Sequence, residues 1–132
     1  MSVASSFATY LASTVGSTIG QDLFIGLAPS SQQATDSLWW IVPSGGQKEI
    51  KLPTGEALKR YTIDIYYRNM DYQTVYEELS DLEETLNLDG CTQLSGYETV
   101  DVEAFIFSID QDLDAEERKI GLLQVNITLF KE

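Results

Sequence analysis

With 132 residues, 43% of them hydrophobic, and 3 prolines, the chain is long enough to bury a core of its own and is not disordered by composition. A formal net charge of −13 disfavours binding to a nucleic-acid backbone or an anionic membrane, both of which would repel it. The absence of histidine removes Ser-His catalysis, and the single cysteine, Cys91, excludes an intrachain disulfide and fits synthesis in a reducing compartment.

In chain order, Ser2 to Val15 reads as an amphipathic helix, with Val3, Phe7, Tyr10 or Leu11, and Thr14 or Val15 sharing a face, Ser2 as cap and Gly16 to close it. Its other face is Ser, Thr and Ala, which suits either plain surface or close packing against another subunit. Gln21 to Leu27, with Leu23-Phe24-Ile25 before Gly26, is a short apolar segment that reads as a strand or extended piece, and Ala28 to Asp36, with Pro29, is polar loop. Ser37 to Val42 is a buried strand, Leu38-Trp39-Trp40-Ile41-Val42, whose adjacent tryptophans must point to opposite faces. One of the two enters the core, and the other needs a helix, a loop or a partner over it; a covering helix is the first expectation. Residues 43–55 form a long hairpin-like loop carrying Lys48, Glu49, Ile50 and Lys51, and loops of that length in a compact domain commonly carry function.

Tyr61 to Leu88 is the strongest local signal. Tyr61, Ile63, Ile65 and Tyr67 alternate with Thr62, Asp64, Tyr66 and Arg68, as in a half-buried strand. Asp71 then caps a helix whose apolar stripe is Val75, Leu79, Leu82 and Leu86, ending at Asp89-Gly90. Glu77, Asp81 and Glu84 form an acidic line on that helix. Leu94 to Ile109 is a strand with a break near Gly96; its second face passes from Asp101 and Glu103 to Phe105 and Phe107, so its aromatic end is expected to be covered. After an acidic turn, Gly121 to Phe130 is the last strand, with Leu123, Val125, Ile127 and Leu129 inward and Gln124, Asn126 and Thr128 outward. The N-terminal stretch lacks the basic and apolar regions of a secretion signal, which predicts a soluble chain made in the cytoplasm.

Residues 69 to 117 hold 15 of the 21 carboxylates and no Lys or Arg. Such a block is either a solvated surface or a field that repels polyanions and meets a basic partner. Asp110, Asp112 and Asp114 imitate the opening of an EF-hand loop, but Ala115 stands where the turn needs Gly and Gly121 where the bidentate Glu belongs, so no calcium site is expected. Cys91 follows a helix C-terminus, the pole that disfavours a thiolate. With no phosphate-binding Gly-rich motif either, the chain is read as a non-enzyme: no catalytic residue, metal or cofactor is expected.

Asp22-Leu-Phe-Ile-Gly26, Leu38-Trp-Trp-Ile-Val42-Pro-Ser-Gly-Gly46, Leu52-Pro-Thr-Gly-Glu56, Asp71-Tyr72 with Val75-Tyr76, and Asp112-Leu-Asp114 before Arg118-Lys119-Ile-Gly-Leu122 sit in this order over nearly the whole chain. The pattern resembles the tail terminator (tail completion, minor capsid) proteins of long-tailed bacteriophages. The resemblance implies a single α+β domain over 1–132: a mostly antiparallel mixed sheet flanked by two main helices. It also implies a virion protein of the tail or neck that forms a hexameric ring at the head-proximal end of the tail tube. The ring would end tube polymerisation, meet the head–tail connector or stopper, and pass DNA through its lumen without recognising it. By position, Lys48, Glu49, Ile50 and Lys51 are assigned to subunit or tube contact. Asp112, Asp114, Glu116, Glu117 and Arg118 are assigned to the connector or next ring, and Glu77, Asp81 and Glu84 to an acidic lumen or surface line. Two other readings accommodate the same residues: another neck or head-completion component, and an acidic DNA mimic that blocks DNA-binding proteins.

Overall fold

The structure is a computed structural model and describes residues 3–26, 37–43, 48–51, 53, 57–89, 94, 97–110 and 119–131. Ser2, the loops at 28–36 and 44–47, Gly90, Cys91, Gly96 and the whole of Asp112 to Arg118 lie outside the described residues. The elements are α1 (Val3–Val15), β1 (Leu23–Ile25), β2 (Leu38–Pro43), β3 (Lys48–Lys51), β4 (Ala57–Asn69), α2 (Tyr72–Asp89), β5 (Tyr97–Asp110) and β6 (Lys119–Lys131).

The strands form one six-stranded mixed sheet in the order β1-β2-β4-β6-β5, with β3 also paired to β4. Only the short β1–β2 pair is parallel; the others are antiparallel. The fold class is therefore the α+β arrangement expected. β4 is longer than its Tyr61 start implied, because its first residues, Ala57 to Arg60, pair with Lys51 to Lys48. The supposed loop at 43–55 thus contains a strand: β3 and the start of β4 make a hairpin, and β2 and β3 lie in succession along one side of β4.

Both helices lie on one face of the sheet. Val75, Leu79, Leu82 and Leu86 of α2 are buried with Ile63, Ile65 and Tyr67 of β4 and Leu123, Val125, Ile127 and Leu129 of β6. Phe7 and Leu11 of α1 join the same core with Leu23 and Trp39. The alternation on β4 and β6 accounts for this, since a period of two delivers every second side chain to one face. Gly16 closes α1 as anticipated: its φ is +74°, and Ser17 N–H donates to the Ala12 carbonyl at 2.9 Å, the bond of a Schellman cap. The bland face of α1 is partly consumed inside the chain, where Ser6 and Ala8 are buried. Two exposed threonines on the remainder, Thr9 and Thr14, donate to the carbonyls of Ser5 and Tyr10. None of the described helices is long and apolar enough to cross a membrane.

Candidate assembly surface

The second face of the sheet carries no described helix, and it overturns two expectations. Trp39 is the core tryptophan, tilted against Tyr67 with ring centroids 4.3 Å apart. Trp40, on the opposite face, meets its cross-strand neighbour and, among the described residues, no helix: it stacks on Tyr66 at 5.1 Å with the planes 5° apart. The flat stack covers one face of the indole, which is 6% exposed in the folded chain. The aromatic end of β5 is not covered within the chain. Phe105 is 40% and Phe107 64% exposed, and Phe107 occupies a bulge between Ile106 and Ser108 that takes it out of register with β6.

Polar cross-strand pairs continue this face between β4 and β6. Thr62 Oγ1 donates to Asn126 Oδ1 at 2.8 Å, and Gln124 Nε2 donates to Asp64 Oδ1 at 3.1 Å. Arg60 Nε reaches Thr128 Oγ1 at 3.4 Å. Burial pushes the Tyr66 hydroxyl above its ordinary pKa, and the negative charge of Asp64 adds to the effect. Arg68, two positions beyond Tyr66 on this face, is almost fully buried, although its place near the end of a polar row read as outward.

The residues assigned from sequence fall in separate places. Lys48, Glu49, Ile50 and Lys51 are the four residues of β3, opposite Arg60, Lys59, Leu58 and Ala57. Glu77, Asp81 and Glu84 are all exposed on α2, on the side away from its buried stripe. Asp112, Asp114, Glu116, Glu117 and Arg118 lie outside the described residues. Among the described residues, no group of three or more His, Cys, Asp or Glu stands close enough to hold a metal ion.

Sequence reasoning missed one arrangement altogether. β5 is the last strand on its side of the sheet, and α2 covers part of its outer edge with side chains. The Asn87 amide nitrogen donates to the Ala104 carbonyl at 3.0 Å, and Ala104 N–H donates to Asn87 Oδ1 at 2.9 Å. Ile106 N–H donates to Glu83 Oε2 at 2.8 Å. The only signal in the sequence was a polar pair one helical turn apart beside the apolar stripe, which reads equally as surface.

No protein-family model matches the chain, and no curated protein matches it in sequence. In fold it is similar to a chain in the virion of a native gene transfer agent particle, with a TM-score of 0.60, 14% identity, and 96% of this chain and 95% of that chain covered.

Proposed function

We propose that this chain is a structural protein of a virion, and within the virion a tail terminator. Six copies close into a ring on the head-proximal end of a tail tube, stop its growth and offer a surface to the head–tail connector or stopper. The observation that carries this reading is the likeness to a virion chain over 96% of the length, which matches the whole-chain character of the sequence resemblance. The β3 hairpin, with Lys48, Glu49, Ile50 and Lys51, meets the neighbouring subunit or the tube. Asp112, Asp114, Glu116, Glu117 and Arg118 meet the connector or next ring. Glu77, Asp81 and Glu84 present a negative line that repels passing DNA where it borders the lumen.

The test is the mass of the purified protein in solution, alone and with polymerised tail tube. A hexamer in either condition supports the reading. A monomer in both conditions that competes with DNA for a basic protein overturns it in favour of the acidic mimic.

A further inference from the structure

We infer that copies of this chain join head to tail through two opposite sheet edges, the basic edge of β3 docking on the acidic edge of β5. The inference rests on the ring proposed above and names the surfaces that close it. In one half of the sheet the strand order is β3, β4, β6, β5, so that Lys48, Arg60, Thr128 and Asp101 lie in one cross-strand row. β3 and β5 are the two outer strands of that row, and among the described residues no further strand pairs on the outer side of either.

The two edges are complementary in charge and in direction. The paired residues of β3 and the start of β4 hold Lys48, Lys51, Lys59 and Arg60 against the single carboxylate of Glu49, which lies opposite Lys59. β5 holds Glu98, Asp101, Glu103 and Asp110 and no basic residue. All three pairings between β3 and β5 are antiparallel, so β3 runs opposite to β5. A second copy placed in a head-to-tail repeat therefore brings its β3 antiparallel to the first copy's β5 and continues the alternation. A heterologous contact of this kind pairs every β3 edge with a β5 edge once the ring closes.

The caps on β5 select where this happens. Among the described residues they sit at Ala104 and Ile106, where Asn87 and Glu83 already occupy the outward backbone groups. That confines strand addition to the Tyr97–Val102 half, the half that shares its rows with β3. β3 is four residues long and β5 is bulged between Thr99 and Asp101, so few backbone bonds can form. Charge then carries much of the affinity, and salt weakens it.

The test uses the full chain and measures association by sedimentation over a range of concentrations, at low and high salt, with tail tube added if the free chain is monomeric. Variants K48E/K51E and D101K/E103K are compared with wild type and with E77K/E84K on α2, and thermal melting shows that each is folded. Edge docking makes both edge variants associate about tenfold more weakly or worse, and leaves E77K/E84K assembling at least as well as wild type. Net charge alone would move the two edge variants in opposite directions, since one adds negative charge and the other removes it. An equimolar mixture of the two edge variants restores assembly, because each supplies the complement of the other. Where a reversal unfolds the chain, K48Q/K51Q and D101N/E103N replace it, and both weaken assembly. If wild type forms rings and the edge variants form them equally well, the edge assignment is overturned while the ring stands. If wild type remains monomeric alone and on the tube, the ring itself is overturned.

Discussion

Asn87 of α2 makes with Ala104 of β5 the two hydrogen bonds that a neighbouring strand would make, at 3.0 and 2.9 Å. Glu83, one turn earlier on the same helix, takes the Ile106 N–H. A helix side chain thus closes a sheet edge that would otherwise template strand addition. Removing both caps in E83A/N87A is expected to lower stability by about 1.5–4.5 kcal/mol, since three bonds are lost and each contributes about 0.5–1.5 kcal/mol. Urea unfolding measures that loss. Sedimentation at rising concentration should show species larger than the wild-type assembly, because the whole of β5 becomes available. Unchanged stability and unchanged mass would show that the caps have no structural role.

Gly121 of β6 sits under α2. A Cβ at this position would run into the Leu79 side chain and lie 2.7 Å from Val75 Cγ1. Both leucine and valine are fully buried and have little room to retreat. Gly121→Ala is therefore expected to destabilise the fold by about 1–3 kcal/mol through overpacking. Leu79→Ala alone should cost about 2–5 kcal/mol. The double variant should be less destabilised than the sum of the two, because the methyl partly refills the space; thermal melts of the four proteins decide this.

Tyr66 introduces a dependence on alkaline pH. Its pKa is raised in the folded chain, first by burial and then by Asp64. The protonated phenol is favoured by folding, so its contribution is fully present below the unfolded tyrosine value of about 10 and is lost as pH rises through the folded value. Wild type should accordingly lose more stability than Y66F as pH rises above about 10. Melting temperatures of the two proteins across that range provide the comparison, and parallel curves would remove Tyr66 as the cause.

The start of α2 is held by three contacts. Asp71 N–H donates to Asn69 Oδ1 at 3.1 Å, Thr74 Oγ1 donates to Asp71 Oδ2 at 2.9 Å, and Val75 N–H donates to the Asp71 carbonyl at 3.1 Å. The carboxylate also stands at the positive end of the helix dipole. Asp71→Ala should cost about 0.5–2 kcal/mol, and Asp71→Ser should recover most of it, as read by urea unfolding.

The sheet-edge assignment could not have been read in advance. Lys48 to Lys51 read as loop in the sequence, because a short mixed stretch between Gly45-Gly46 and Pro53 has no clear period, and only pairing with Ala57 to Arg60 makes it a strand. The acidic line of Glu77, Asp81 and Glu84 was legible, because helical spacing beside an apolar stripe fixes which side meets solvent. Asn87 and Glu83 were not, because their role depends on β5, which lies across a sequence gap.

What the sequence determined alone were the faces. Periods of 2 on β4 and β6 and of 3.6 on α2 assign Ile63, Ile65, Val75, Leu79, Leu123 and Val125 to one core without reference to any partner, and these residues are buried together. Gly16 likewise marked the end of α1, since its left-handed φ is a local requirement. The tertiary structure decided which of Trp39 and Trp40 faces the helices, that the other stacks on Tyr66, and that Phe105 and Phe107 stay exposed. It also decided that β3 and β5 end opposite sides of the same rows. Local spacing tells each residue which way to face, whereas partner and cover come from segments distant in the chain, whose pairing depends on the free energy of the whole sheet.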